Sequence, residues 1–343
     1  MAITYHAGRR IQGTSADKAV PSGASRGTVT TDGLYTVITF TSDGTFTPTS
    51  SFSVEHLIVA GGGGGGMNGA NNGGGGGGGA GEMLENASTN VTAGNYSVVV
   101  GTGGVGGNTS TKGGTKGTDS SWNGLTAEGG GRGAGAYNTD NINKNGGDGG
   151  SGGGASTYET GTGGTGGSSG TGGNDGGNAS SNDSSYLRAG NGGGAGSAGT
   201  DSTLSSGGGG NGKSNSITGS AVNYASGGTG GWFFGMNTSA SNSGAYGNGG
   251  NGRAGNAGSI GSASTGANGV VILRFLTSGN IYETGTPSAI LGSTNVQVGS
   301  RFEETDTRKM YHKDDIDWKE ENGNEATNYR SASWYEQLSG ETP

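Results

Sequence analysis

The chain has 343 residues, carries a formal net charge of −8 and contains 86 glycines and no cysteine, while apolar residues make up 27%. The acidic balance excludes binding to nucleic-acid phosphates, because such binding needs a basic patch. The lack of cysteine excludes disulfide bonds, and the low apolar content excludes a large apolar core.

Residues 1–30 form a polar segment with little hydrophobic periodicity, which we interpret as an N-terminal attachment segment. Its first ten residues contain no apolar h-region, so the sequence predicts no secretory signal peptide. No apolar run in the chain reaches the length that a membrane-spanning helix needs, so no membrane insertion is expected.

Four runs rich in β-branched and aromatic residues predict β-strands, at residues 34–40, 53–60, 96–100 and 270–276. A turn signal at residues 41–44 and a short apolar run follow the first of them. Because the four runs flank the glycine-rich region on both sides, we predict one small β-sandwich. The glycine region, residues 61–269, is inserted between its strands.

Glycine recurs at every third residue over long stretches of this region. The rows are Gly161, Gly164, Gly167, Gly170, Gly173 and Gly176, then Gly190, Gly193, Gly196 and Gly199, then Gly252, Gly255, Gly258 and Gly261. Three residues per turn is the period of the polyproline-II helix, which has no internal hydrogen bonds. Each row gives such a helix a face without side chains, so main-chain N–H groups can reach the carbonyl groups of a neighbour. The sequence therefore predicts a bundle of polyglycine-II helices.

Two other interpretations fit a glycine-rich composition. A flexible linker has no reason to keep a three-residue phase over six triplets. Collagen needs unbroken Gly-X-Y triplets and abundant proline, whereas this chain has four prolines, all outside the glycine region. Ordering each residue costs about 1–2 kcal/mol, so we expect the bundle to need the sandwich as an anchor.

The last part of the chain, residues 279–343, is acidic and aromatic. Residues 296–313 predict a hairpin with its turn near residues 304–307, and Trp318 with residues 333–335 predicts further strands of a small β module. The predicted fold is all-β with almost no α-helix. Its predicted domains are the attachment segment (1–30), the sandwich with its inserted bundle (31–278) and the C-terminal β module (279–343).

The strand sequences carry a resemblance to a known family. The segments TVITFTSDGTFT at 36–47, VEHLIVAGGG at 54–63, GNYSVVVG at 94–101 and GVVILRF at 269–275 stand in this order around the glycine tracts. In this order they resemble the glycine-rich domain of phage and archaeal-virus tail-fibre proteins. The resemblance spans roughly residues 30–276.

The resemblance implies a receptor-binding role, with aromatic loops displayed at one tip of a glycine bundle. A bulky side chain does not fit a face buried against another glycine row, so aromatic residues between rows are expected at bundle ends or on exposed faces. The candidate receptor-binding residues are Trp122, Tyr137, Tyr158, Tyr186, Tyr224, Trp232, Phe233, Phe234 and Tyr246. For residues 232–234, a hydrophobic plug that closes the bundle is the alternative interpretation.

The sequence matches to catalytic or ligand-binding motifs lack the flanking residues that those motifs need. Residues 207–214 match a phosphate-binding loop literally, but polar residues stand where a buried strand and an apolar helix are needed. Residues 146–150 and 172–176 lack the apolar residue and the tandem copies of calcium-binding glycine repeats. We therefore predict no enzyme, no cofactor and no metal site.

The sequence favours a non-enzymatic viral tail-fibre or spike adhesin that is located on a virion or is extracellular. Its predicted partners are a host surface glycan or envelope protein, together with other virion proteins or copies of itself; no nucleic acid is expected. The alternative is a self-assembling subunit of an extracellular or virion filament, paired through strand edges and bare glycine faces. A third hypothesis, ice binding, would need a regular threonine array, whereas the outward positions mix Ser, Asn, Asp and Ala.

Overall fold

The fold is that of a computed structural model. It describes residues 22–25, 27–48, 51–68, 73–135, 144–157, 165–179, 188–202, 208–231, 244–253 and 262–277, with three short strands near the C-terminus. The chain divides into two compact units. One comprises Pro21–Phe275, and the other comprises Met1–Val20 and Leu276–Pro343.

The described residues form fifteen β-strands and no helix. The strands are β1 (Ser22–Ser25), β2 (Thr28–Asp32), β3 (Tyr35–Phe40), β4 (Gly44–Pro48), β5 (Phe52–Val59), β6 (Met83–Val91), β7 (Tyr96–Val99), β8 (Ser120–Trp122), β9 (Leu125–Ala127), β10 (Lys213–Asn215), β11 (Val222–Tyr224), β12 (Val270–Leu276), β13 (Arg301–Glu303), β14 (Met310–Lys313) and β15 (Trp318–Glu320). The prediction of an all-β fold is confirmed.

Two five-stranded sheets form the sandwich. The first has the strand order β1-β4-β7-β8-β9, and the second has the order β2-β3-β12-β5-β6. Between them lies an apolar core that includes Phe40, Phe46, Val54, Trp122 and Phe275. Alternate residues of β3, β5 and β12 point into this core, as the two-residue period of a strand requires.

The second sheet is covered on its other face as well. There Val37, Leu57, Val59, Val270 and Ile272 pack against a second cluster. The other buried members of this cluster come from β6 and the chain before it and from the β10–β11 hairpin and the chain beside it: Ala80, Met83, Ile217, Tyr224 and Ala225. Burial on both faces explains why residues 57–59 of β5 and 270–273 of β12 are continuously apolar rather than alternating.

The four predicted strand runs correspond to β3, β5, β7 and β12. Sequence analysis missed β1, which lies inside the predicted attachment segment, β2, which crosses the end of that segment, and β6 at the sheet edge. In the C-terminal unit, β13 pairs with β14, so the predicted hairpin is confirmed, and β15 contains Trp318. Residues 333–335 lie outside the described residues, and the three-domain division stays a prediction.

The inserted region is held together by main-chain hydrogen bonds that repeat every three residues. In the segment 60–68, the N–H groups of Gly61, Gly64 and Met67 donate to the carbonyls of Thr118, Thr115 and Lys112; those of Gly62 and Gly65 donate to Ala267 and Ser264; those of Gly63 and Gly66 donate to Gly79 and Gly76. The predicted three-residue period of the glycines is therefore the period of the bonds.

The segment 60–68 is surrounded by neighbours. It donates to three antiparallel segments, 112–118, 264–267 and 76–79, and it accepts from three parallel ones, 104–107, 130–133 and 250–253. All nine of its residues are buried. Segment 73–82 is enclosed in the same way by 60–66, 128–134, 151–157, 190–193, 228–231 and 247–253. We call these hydrogen-bonded segments between residues 60 and 269 the glycine bundle.

Glycine is required in the bundle because the chains lie so close together. A Cβ atom on Gly63 would approach the carbonyl oxygen of Gly131 to well under 3.0 Å, nearer than real Cβ atoms come to such atoms. Gly66 and Gly76 face the carbonyls of Ala134 and Gly154 in the same way. The polyglycine-II conformation of the individual segments stays a prediction.

Side-chain oxygens accept those main-chain N–H groups of the bundle that do not donate to the carbonyl of a neighbouring segment. Where neighbours are antiparallel, a threonine can do this. The hydroxyl of Thr118 accepts the N–H of Thr102 at 2.7 Å, while the N–H of Thr118 donates to the carbonyl of Thr102 at 3.0 Å. Thr115 and Val105 repeat the arrangement one turn along.

Where neighbours are parallel, an Asn or Asp residue does the same together with the residue that follows it. The side chain of Asn248 accepts the N–H of Ser226 at 2.9 Å, and the N–H of Gly249 donates to the carbonyl of Ser226 at 2.9 Å. We call this arrangement an Asx clamp. It recurs where Asn145, Asp148, Asp201 and Asn251 hold Thr165, Ser168, Asn178 and Thr229 respectively.

The sandwich core contains one buried imidazole. His56 is 2% exposed, its Nδ1 lies 3.1 Å from the hydroxyl of Thr89, and its ring centroid lies 5.2 Å from that of Trp122. Desolvation by burial lowers the pKa of His56 below its ordinary value of 6.5. Burial therefore favours the neutral over the protonated imidazole in the folded chain.

Replacing an interior glycine should destabilise the bundle far more than replacing an exposed one. We expect Gly63→Ala to lower the free energy of unfolding by about 3 kcal/mol, because main-chain atoms must move apart. Gly208 has open space around the position of a Cβ atom. Gly208→Ala should therefore leave stability unchanged or raise it by up to about 1 kcal/mol. Urea denaturation measures both; equal effects would contradict the close approach of the segments.

Stability should fall as the pH drops below 6.5, because the unfolded chain then binds a proton that folded His56 does not. The loss attributable to this residue approaches about 1.4 kcal/mol per pH unit until the folded pKa is reached. His56→Gln should remove this component while leaving an acceptor for Thr89. Thermal midpoints of both proteins across this range check the expectation, and identical pH profiles would show that His56 is not the titrating group.

Candidate functional site

The two ends of the glycine bundle differ in what they adjoin. Ala60 directly follows β5, Glu82 directly precedes β6, and Gly269 directly precedes β12. Ala60 also donates to the carbonyl of Glu82 at 3.0 Å, so these residues lie at one level, the sandwich end. The segment 60–68 runs away from the sandwich and reaches the opposite end, the far end, at Asn68.

The hydrogen-bond register identifies the other residues at the far end. Met67 donates to Lys112, Asn68 to Arg253, and Thr157 to Gly74. Ser156 donates to Lys144, Gly146 to Thr165, Ala189 to Gly231, and Ser202 to Asn178. The far end is therefore formed by the termini of many segments.

Most connections between segments at the far end fall outside the described residues. Six of these stretches are bounded on both sides by described residues near the far end: 69–72, 136–143, 158–164, 180–187, 203–207 and 254–261. A seventh, 232–243, begins after Gly231 at the far end, and Gly244 lies near the sandwich end. One described far-end connection, from Asn108 to Lys112, is a turn closed by the Asn108 side chain, which accepts the N–H groups of Ser110 and Thr111.

Six of the nine predicted site residues fall in these stretches. Tyr137, Tyr158, Tyr186, Trp232, Phe233 and Phe234 all lie outside the described residues. In the sequence, Tyr158 directly follows Thr157 and Trp232 directly follows Gly231, two residues of the far end.

Trp122 lies in the sandwich, not at the far end of the bundle, and it faces inward. It is 1% exposed, and its ring centroid lies 6.4 Å from that of Phe46 and 6.3 Å from that of Tyr96. Pairing of β8 with β7 directs this side chain into the sandwich core. A residue so buried offers no surface to a receptor, so Trp122 is removed from the candidate site.

Tyr224 and Tyr246 also lie near the sandwich. Tyr224 is 1% exposed, and the half-buried Tyr246 stacks on it with ring centroids 6.4 Å apart and planes at 15°. Burial, followed by the charge of Tyr246, raises the pKa of Tyr224, although a hydrogen bond to Thr218 acts in the opposite direction. Both rings cover the second sheet, so they too are removed from the candidate site.

Sequence reasoning missed the basic residues that border the far end. Lys112, Lys144, Arg188 and Arg253 each lie at or next to a segment terminus there and are half-buried. In the sequence Lys112 and Arg253 adjoin a glycine directly, and Lys144 and Arg188 stand two residues before one, a signal that could have identified them.

Acidic residues concentrate at the sandwich end, where basic partners pair with several of them. Arg274 contacts Asp32 at 3.0 Å and Glu55 at 3.2 Å, and its guanidinium lies 3.9 Å from the ring centroid of Tyr35. Together these contacts join β12 to β2, β3 and β5. The exposed pairs Lys116–Glu128 and Lys213–Glu85, each at 2.5 Å, contribute little to stability.

Among the described residues, no cluster of His, Asp or Glu is suited to hold a metal ion. Within the same ranges, no helix is present that could cross a membrane. Lys213, the lysine of the literal phosphate-loop match, begins β10 and pairs with Glu85. A phosphate loop would place this lysine before a helix, so the rejection of that motif agrees with the geometry.

The sequence that forms the sandwich and the inserted bundle matches a known protein family. A family described as a glycine-rich domain matches residues 41–276, more than half of the chain. The chain belongs to this glycine-rich domain family. A comparison with curated proteins gives no match. The family region begins within the sandwich and ends with β12, so it comprises the whole glycine bundle.

For most connections between bundle segments, the sequence could have shown whether the connection lies at the far end or at the sandwich end. Successive described segments alternate in direction from 60–68 outward and 73–82 back as far as 225–231 outward; 247–253 then runs outward again, and 262–269 runs back. Counting breaks between glycine runs alternately from Ala60 assigns residues 69–72 to the far end and β8–β9 to the sandwich end. Trp122 is excluded by the same count.

The burial of Trp122 predicts a role in stability. Trp122→Ala should lower the free energy of unfolding by about 3–5 kcal/mol, since it leaves a cavity between the sheets. Leu125→Ala, in the paired strand and with 38% exposure, is the matched control and should cost much less. Urea denaturation of both variants checks this, and similar losses would place Trp122 outside the core.

Proposed function

We propose that this protein is a viral tail-fibre or spike adhesin. It recognises a host cell-surface component through the connections at the far end of the glycine bundle, without catalysing a reaction. The observation that carries the proposal is the convergence of bundle-segment termini at one end, opposite the sandwich. The resemblance of the strand sequences to tail-fibre proteins supports the viral assignment.

Convergence matters because recognition surfaces are commonly built from loops on a rigid scaffold. Six connections start and end at far-end residues, and a seventh starts there. Their sequences contain Tyr137, Tyr158, Tyr186 and the run Trp232–Phe234, together with many Asn and Ser residues. Tyr, Trp, Ser and Asn are typical of adaptable recognition surfaces, and aromatic rings suit both sugars and protein surfaces.

The hydrogen bonding of the bundle supports the scaffold role. Each N–H from Ala60 to Asn68 donates to another segment, at distances from 2.7 to 3.2 Å. A scaffold fixed in this way holds the starts of the connections in place, so less conformational entropy is lost when a partner binds. The partner proposed is a host surface glycan or an envelope protein.

The arrangement of the outer segments favours the adhesin over a filament grown by adding glycine segments. Hydroxyls of Thr115 and Thr118 accept outward N–H groups that an added segment would need, and so do the side chains of the exposed Asx clamps at Asn145, Asp148 and Asp201. These side chains also occupy the space that a glycine segment of a second molecule would need in order to approach the bundle.

Binding of the full-length chain to a panel of immobilised glycans and envelope preparations from candidate hosts tests the proposal. One variant replaces Tyr137, Tyr158, Tyr186, Trp232, Phe233 and Phe234 by alanine. Its affinity should fall at least about tenfold, because buried aromatic anchors dominate such interfaces. Its thermal midpoint should stay close to that of the parent.

The matched control removes exposed apolar side chains away from the far end. Val29, Val99 and Val105 are 44%, 40% and 59% exposed on the sandwich and the side of the bundle. Replacing all three by alanine should leave binding unchanged. Binding that survives the far-end variant, or that is lost in the control, would refute the assignment of the surface.

A further inference from the structure

Three of the Asx clamps contain the dipeptide Asn-Gly, at Asn145, Asn248 and Asn251. This dipeptide is the most prone to spontaneous deamidation. The main-chain nitrogen of the glycine attacks the side-chain carbonyl carbon of the asparagine, ammonia leaves, and a cyclic imide forms. Water then opens the imide to aspartate or to isoaspartate, in which the main chain runs through the former side chain.

In the clamps both reacting groups are engaged. The nitrogens of Gly146, Gly249 and Gly252 donate to carbonyls of the neighbouring segment at 2.9, 2.9 and 2.8 Å. The side-chain oxygens of the preceding asparagines accept N–H groups from the same neighbouring residues at 3.1, 2.9 and 3.0 Å. Ring closure would need rotation of the asparagine and rupture of both bonds, so it requires local opening of the bundle.

One of the other Asn-Gly pairs of the sequence, which has ten in all, lies in a different setting. Asn123 and Gly124 are the two central residues of the turn between β8 and β9, where Trp122 pairs with Leu125. Their φ angles are 50° and 75°, as a two-residue hairpin turn requires. Within the described ranges no acceptor is found for the N–H of Gly124, which is exposed, and Asn123 is half-buried.

We infer that Asn123 is a site of spontaneous deamidation in the folded chain, and that the clamps protect Asn145, Asn248 and Asn251 from the same reaction. At Asn123 the attack needs rearrangement of one turn only. The reaction exchanges a neutral amide for a carboxylate. In the isoaspartate product it also lengthens the main chain of a two-residue turn directly beside Trp122.

Peptide mapping by mass spectrometry tests the inference on the full-length chain. The protein is incubated in mildly alkaline buffer, and aspartate and isoaspartate are quantified over time at the four asparagines, with Asn248 and Asn251 resolved by fragmentation of the peptide that they share. In the folded protein, conversion at Asn123 should be at least about tenfold faster than at each clamp asparagine, because protection scales with the free energy of local opening. In concentrated denaturant, all four should convert at similar rates, since all four share the same dipeptide.

The matched variant Asn123→Gln should abolish rapid conversion in the turn and leave the clamp peptides unchanged. Rapid conversion at the clamps of the folded protein would overturn the inference, as would a native rate at Asn123 no faster than theirs.

Discussion

Hydrogen bonding between main chains is the interaction on which this fold depends. Side chains fill the interior of most domains, whereas the interior of this bundle consists of amide groups brought together because a Cβ atom is missing. Glycine acts here through its size. Positive φ angles occur at Gly33, Gly94, Gly124, Gly219 and Gly247, and most interior glycines are needed only for close approach.

Such a bundle still needs an apolar anchor, because glycine loses the most conformational entropy on folding. The second sheet of the sandwich supplies it by burying both faces. β5 continues directly into the enclosed segment 60–68, and β12 directly follows the last segment. Side chains fix the register between β5 and β12. Because the first and last bundle segments continue directly from these strands, that register also sets the positions of segments that have few side chains of their own.

The sequence predicted what periodicity controls. Strands β3, β5 and β12 have apolar runs, and the three-residue spacing of glycine predicted the period of the hydrogen bonds. It could not predict β2 or β6, because these edge strands are mostly polar and only pairing with β3 and β5 makes them strands. Nor could it predict which segments are neighbours, since bare glycine faces are alike; Asn, Asp and Thr oxygens help to distinguish them.

For the candidate site, an aromatic residue between glycine runs looks the same in the sequence at either end of the bundle. Only the direction of the segments separates Trp122 from Tyr158.

The enclosed amides also have a thermodynamic consequence. Exposure of apolar surface raises the heat capacity on unfolding, whereas exposure of polar surface lowers it. A domain whose interior is largely peptide groups should therefore show a small heat-capacity increment for its size. Its free energy of unfolding should therefore change little with temperature. The fold should persist in cold water, where the free energy of unfolding of proteins with large apolar cores decreases.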